Sequence, residues 1–453
     1  AFFHTFREKK RTRGNRLKRK VYGRYIIAIF IWILLVTGMV RILSDQKGGA
    51  GGSKTESELA LENEEKNQTV SGGDTIRVLI MTDGYQSEIH SEVWVSSPYG
   101  LRISCGGESI EWNKEEVCQI LPDDARFQKG NIRIEPLNKE GKVTLESISR
   151  GYGTPSYDGI LEIRAVSGGI AVINELSMES YLCGVVPSEM PASYELEALK
   201  AQAVCARSYA RRQMESYGYP EYEAHVNDST DFQVYNNSQP QERSSQAVRE
   251  TEGEVVKYKG TIATTYYYST SSGQTTNMEA WGNAPGEGNG YLQSVSVCDD
   301  SGQDYEKNLP WYRWEAVIPI DTLSRLISQN TGTDVGTLSQ VEVTKRGAGD
   351  VAVELTAVGD KNTVTVQTEN KIRSALGGGG YQITKNDGSQ SEGSALLPSA
   401  FFTIEKQDGV FVIRGGGFGH GIGMSQNGAN EMAKQGKNYQ EILKLFYQGV
   451  EIE

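Results

Sequence analysis

Tyr25 to Leu43 is a run of nineteen residues with one charge, Arg41, and it directly follows a segment dense in lysine and arginine. A run of that length crosses the hydrocarbon core of a bilayer as a helix. A cleaved signal peptide has a shorter apolar region and a small-x-small cleavage site, and none is evident before Ser44. A buried core helix rarely has every face apolar. Residues 1–24 hold ten bases against one acid, so the positive-inside rule keeps them in the cytoplasm and puts residues 44–453 on the outer side. The chain is therefore expected to be single-pass, with an extracytoplasmic body.

That body is acidic. The full chain of 453 residues has a net charge of −12, and the residues after 24 carry 36 bases against 57 acids. Such a surface is poorly suited to phosphate backbones, and no nucleic-acid partner is expected. Residues 44–74, rich in Gly, Glu, Lys and Asn, read as a flexible linker. Five cysteines are too few for a disulfide scaffold, although Cys105 and Cys118 are near enough in sequence to pair. No CxxC occurs, which argues against a zinc ribbon or a thioredoxin-like site.

From Ile76 onward the apolar residues recur with period two: Ile76, Val78 and Ile80; Val93 and Val95; Ile132 and Ile134; then Ile160 to Ile163. Residues 75–150 thus read as a β-rich extension, ahead of a second domain over 151–453. The clearest helix spans Ser193 to Tyr217, with Ser193 as its cap, Gly218 as its stop, and one face made by Leu196, Leu199, Ala203, Ala206 and Ala210. Gln202, Cys205 and Tyr209 form a more polar stripe beside it. Strands resume at Thr261–Thr270 and recur to Ile413, Gly377 to Ser394 reads as a mobile loop, and two short helices close the chain. Asn438 with Glu441 makes a capping box for the last of them. Strands and helices do not alternate, so the fold class is α+β with mixed antiparallel sheets and a few helices.

Two stretches stand out as chemistry. In Val185-Val-Pro-Ser-Glu189-Met-Pro191, two prolines bracket one carboxylate and are expected to hold it on a stiff, non-helical turn. A carboxyl beside apolar surface has its charged form disfavoured and delivers a proton near neutral pH. Glu189 is otherwise an ordinary surface acid, as most of the 58 acids must be. In Arg414–Ala429, glycines surround His420, Ser425 and Gln426, allowing close backbone approach. The stretch is neither a Walker loop nor a dinucleotide fingerprint. His420 is either a site residue or a structural histidine bonded to a nearby carbonyl. The hydroxyl-rich turn Ser271-Ser272-Gly273, after Tyr266–Tyr268, suits sugar hydroxyls, or is a plain hairpin turn. No serine nucleophile elbow is present.

Taken in order, Val172–Pro191, Leu196–Tyr209, Asp228–Tyr235, Ala247–Gly253, Ser271–Gly273, Gly419–Ala429 and Ile442–Gly449 resemble the stage II sporulation protein D (SpoIID/LytB domain) family, over roughly residues 150–453. Founding members of that family are membrane-anchored lytic transglycosylases that cut peptidoglycan glycan strands between N-acetylmuramic acid and N-acetylglucosamine during engulfment. The resemblance implies Glu189 as the catalytic acid and base, with the substrate's own C6 hydroxyl as nucleophile, leaving a 1,6-anhydro end. It implies Gln202, Tyr235, Ser271, Ser272, Gly273, His420, Ser425 and Gln426 as residues shaping the glycan cleft. It also implies peptidoglycan glycan strands, and other cell-wall hydrolases or engulfment proteins, as partners. Where some members carry a Cys/His site resembling a zinc centre, this chain has Asn227, Asp231 and Phe232, with only His225 nearby, so no metal and no cofactor are expected. Members of the LytB type enhance an amidase instead of cutting glycan, which implies as alternatives a non-catalytic amidase enhancer or a peptidoglycan-binding scaffold.

Overall fold

The computed structural model describes residues 75–453. Among these residues no helix is long and apolar enough to cross a membrane. The expected anchor at 25–43 and linker at 44–74 lie outside the described residues.

The period-two runs form the strands expected of them. A seven-stranded sheet is ordered Val226–Asn227, Thr75–Leu79, Gly169–Ser177, Ile160–Val166, Ile132–Pro136, Leu101–Cys105 and Glu108–Trp112. Its pairings are antiparallel except the short parallel one between Val226–Asn227 and Thr75–Leu79. A four-stranded sheet adds Cys118–Ile120, Val93–Ser96, Val143–Leu145 and Ser156–Tyr157. Side chains from both sheets enter one apolar core, among them Ile76, Val78, Val93, Ile120, Ile134 and Val172. The boundary drawn from sequence at residue 150 therefore runs through a sheet and a core that the flanking segments share. Cys105 and Cys118 sit in different sheets and are both free, as are Cys183, Cys205 and Cys298. Cys105 and Cys118 are not paired, and the Cys105 thiol points at the carbonyls of Arg126 and Gly130.

Seven α-helices follow among the described residues: α1 (Met178–Glu189), α2 (Leu196–Gln213), α3 (Glu242–Glu250), α4 (Ile320–Thr331), α5 (Glu369–Leu376), α6 (Gln426–Lys434) and α7 (Tyr439–Phe446). The helix expected from Ser193 is shorter. Ser193 is exposed and caps nothing, whereas Glu195 begins α2 with its backbone N–H held by Asn430 of α6 at 2.9 Å. Nor does α2 have one buried face. Ala198, Leu199, Ala201, Gln202, Ala203, Val204, Cys205, Ala206, Arg207 and Ser208 are all buried, because its small side chains let neighbouring helices approach on several sides. The closing helices appear where expected, with both capping-box bonds of Asn438 and Glu441 formed. The stretch expected to be a mobile loop at 377–394 instead contains Gln382–Lys385 and Gln390–Glu392, paired as a hairpin at the edge of a five-stranded sheet.

A buried ion pair ties the first sheet to the segment that follows α2. Arg150 donates to Asp228 Oδ2 at 2.5 Å, and Asp228 Oδ1 accepts the Met81 N–H at 2.9 Å. Both side chains are essentially inaccessible. Removing one member leaves the other charge uncompensated in the core, so Arg150→Met should cost about 3–5 kcal/mol. Urea unfolding measures this, and Arg150→Met combined with Asp228→Leu should recover most of the loss.

Candidate functional site

Glu189 is the last residue of α1. Ser177 caps the start of that helix by accepting the Ser180 N–H at 3.2 Å, and Pro187 lies inside its final turn. This corrects the expected non-helical turn. An interior proline costs about 3 kcal/mol, but burying Tyr181, Leu182, Val185 and Val186 contributes more, at roughly 1.5–3 kcal/mol for each large apolar side chain. Met190 turns extended and Pro191 cannot continue the helix, so the chain leaves at Glu189.

The Glu189 side chain is half-buried in a pocket of about 360 Å³, lined by Tyr209, Phe232, Val234, Tyr266, Tyr267, Trp281 and His420 among others. Its Oε1 accepts the Val234 N–H at 2.7 Å, and the Tyr267 hydroxyl also donates to it. Tyr267 is itself held by Gln233, whose amide donates to the phenol oxygen at 3.1 Å. Burial pushes the Glu189 carboxyl up to about 7, and the two hydrogen bonds only partly oppose it. Such a group keeps a substantial acid fraction at neutral pH, and two ready donors receive the charge once the proton has left. Asp231, the other carboxylate at the pocket, is exposed.

His420 lines the same pocket with no ring nitrogen to spare. Its Nε2–H donates to the Tyr267 carbonyl at 3.0 Å, and its Nδ1 accepts the Ile422 N–H at 3.1 Å. Burial, with Arg373 adding to it, lowers its pKa to about 4. It is a neutral brace for the Tyr267 strand and at the same time part of the pocket wall.

Two of the other expected cleft residues act from behind. Gln426 Nε2 donates to the Glu189 carbonyl at 3.1 Å and to Gln202 Oε1 at 3.3 Å, so this pair braces the Glu189 backbone. Tyr235 is fully enclosed. Its hydroxyl donates to Asn174 at 2.8 Å, and its ring fills the space beside Gly184, where a Cβ would come within 2.6 Å of it. Ser271 and Ser425 are buried on a different carboxylate, Glu306, which takes the Ser271 N–H at 3.0 Å, the Ser271 hydroxyl and the Ser425 hydroxyl at 2.8 Å. Ser272 borders a separate groove with Arg313 and Phe401, and Gly273 (φ +96°) packs against Asp304. These four residues do not line the Glu189 pocket: Ser271, Ser272 and Gly273 lie beyond Tyr268, and Ser425 pairs in register with Tyr268.

Sequence reasoning missed the Val234 N–H, which is a backbone group, and Tyr267, which was read only as part of an aromatic strand. It also missed Trp281, which no motif marks. At the segment where a metal site was not expected, His225 Nδ1 accepts the Arg77 N–H at 3.0 Å and its ring stacks on Tyr217.

Comparison with known proteins adds a second line of evidence. A family model described as stage II sporulation protein, SpoIID, matches residues 166–258, and a domain of unknown function matches 291–423. The chain is 32% identical over 367 residues to an uncharacterized protein of Brachyspira hyodysenteriae, covering 79% of this chain and 90% of that one. It is 30% identical over 338 residues to stage II sporulation protein D of Bacillus subtilis, covering 70% and 88%. It is also 30% identical over 293 residues to the amidase enhancer of Bacillus subtilis, covering 59% of this chain and 39% of that longer protein.

The raised Glu189 carboxyl has a consequence for stability. Its folded pKa, about 7, lies above the ordinary 4.5, so its contribution is full below pH 4.5 and is lost as pH rises through 7. A rise of that size corresponds to about 3 kcal/mol. The wild type should lose up to that amount between pH 4.5 and 8 relative to Glu189→Gln, as measured by urea unfolding across this range. A constant difference between the two proteins would contradict the burial of the group.

Proposed function

The chain belongs to the stage II sporulation protein D family, and from that premise we propose that it is a lytic transglycosylase of peptidoglycan, held at the outer face of the membrane by residues 25–43. Glu189 is the acid and base. One observation carries the reading: a carboxyl with its pKa near 7, raised by burial, sits in an aromatic-walled pocket with two hydrogen-bond donors on it.

Ordinary glycoside hydrolysis needs two carboxyl groups placed across the scissile bond. The other carboxylate at the pocket, Asp231, is exposed and does not figure among the causes of the Glu189 shift. A single group suffices when the sugar supplies its own nucleophile. Protonated Glu189 gives its proton to the glycosidic oxygen between N-acetylmuramic acid and N-acetylglucosamine, and the C1–O bond breaks. The carboxylate left behind is held by the Val234 N–H and the Tyr267 hydroxyl. It then takes the proton of the C6 hydroxyl as that oxygen bonds to C1, closing a 1,6-anhydro ring and restoring the acid. Tyr209, Tyr266 and Trp281 offer faces against which sugar rings stack.

The amidase enhancer among the relatives favours a second reading, in which the same cleft binds glycan without cutting it and presents a partner hydrolase. Digestion of purified peptidoglycan separates the two. The full chain should release anhydromuropeptides, with kcat/KM falling as pH rises above about 7 because the acid form is lost. Glu189→Gln should reduce release by about 10²–10⁴-fold. Reducing ends in place of anhydro ends would contradict the mechanism. No cleavage, together with acceleration of an added amidase, would establish the enhancer reading.

A further inference from the structure

The module of unknown function at 291–423 lines the Glu189 pocket directly with His420 and braces a second part of its wall, Trp281, from behind. Trp281 ends a 3₁₀ turn, Met278–Trp281, which Asn277 caps by accepting the Glu279 N–H and Gly282 closes in the left-handed conformation. The tryptophan lies between the two matched stretches and in neither. Its ring stands perpendicular to Tyr266 at 4.8 Å and is tilted against His420 at 5.1 Å, and it forms part of the pocket wall. An indole at the edge of a pocket has several rotamers open to it. This one is pinned from behind, because its Nε1–H donates to Glu369 Oε1 at 2.9 Å.

Glu369 is the first residue of α5, inside the module, and only 1% exposed. Its other oxygen takes Arg373 Nη1 at 3.2 Å, and Arg373 Nε donates to the Leu397 carbonyl at 2.8 Å. The acceptor is therefore fixed on both sides. Arg373 is also the charge that joins burial in keeping His420 neutral. One buried ion pair on α5 thus acts on two walls of the pocket.

We propose that Trp281 is a sugar-stacking residue of the glycan cleft and that Glu369 is a positioning residue that holds its indole in place, so that the module at 291–423 sets how tightly the cleft grips glycan. The inference rests on the glycan-binding part of the proposed function and not on the cutting step. Stacking a pyranose face on an indole is the chemistry that rewards a fixed ring, since a wandering one must be ordered at binding.

The test is equilibrium binding of soluble, peptide-free peptidoglycan glycan fragments to the full chain carrying Glu189→Gln, whose turnover is slow enough for binding to be read. Trp281→Ala should weaken binding roughly tenfold. Glu369→Gln leaves one carboxamide to serve either Trp281 or Arg373 but not both, and should weaken binding about threefold. Combined with Trp281→Phe, which has no Nε1–H to hold, Glu369→Gln should cause no further loss. With Glu189 restored, Glu369→Gln should raise KM and leave kcat unchanged. Unaltered binding by Trp281→Ala, equal losses from Glu369→Gln in both backgrounds, or a fall in kcat alone would each overturn the inference. If thermal melts show that Glu369→Gln does not fold, Trp281→Phe decides by itself, with about threefold weaker binding supporting the inference and unchanged binding refuting it. Binding that responds as described without any anhydro product would refute only the cutting step, and glycan cleavage with Trp281→Ala binding unchanged would refute only this inference. A full chain that binds no glycan would overturn both.

Discussion

The site depends on how far one half-buried carboxyl group is shielded from water. Glu189 can sit against aromatic walls only because α1 delivers it there and then stops, and α1 stops there because Pro191 forbids another turn. Pro187 would break a free helix at this point. It is tolerated because the same helix buries Tyr181, Leu182, Val185 and Val186 in the core. Core packing thus holds a strained helix end in place, and the helix end holds the acid. The backbone behind it is fixed by Gln426, reaching across from the start of α6.

Around that carboxyl the remaining groups divide into those that touch the pocket and those that keep its walls still. Val234 and Tyr267 point donors at the carboxylate, ready for the charge it acquires. His420, with both nitrogens committed, fixes the strand that carries Tyr267. Glu306 joins the Ser271 turn to the start of α6 through two serine hydroxyls. Because it is buried, its carboxyl is also pushed up to about 7, yet it lies outside the pocket. A raised carboxyl alone therefore does not mark a proton donor in this fold. The pocket around Glu189 makes the difference.

Much of this was legible in the sequence. Strands with one face in the core alternate, so Ile76, Val78 and Ile134 announced themselves, as did the Asn438–Glu441 cap, which is purely local. The bracketing prolines singled out Glu189. What stayed hidden was set by distant contacts. The start of α2 is fixed by Asn430, more than two hundred residues away, and not by the neighbouring Ser193. Gln202 reads as part of a polar stripe, but its partner Gln426 turns it toward the backbone of Glu189. Ser271 reads as part of a sugar-binding turn and Ser425 as part of a glycine-rich stretch, and only the fold shows Glu306 between them. Trp281 carries no local signal, since its role comes from a helix nearly ninety residues on.

The central claim is that burial, with no charged partner, raises Glu189 until it titrates near neutral pH and so retains an acid form there. A carbon-13 carboxyl NMR titration of the wild type, assigned by difference from Glu189→Gln, tests it directly. The account predicts one resonance, absent from the variant, that titrates near pH 7. A Glu189 signal titrating near the ordinary 4.5 would contradict it and leave the pocket without an acid.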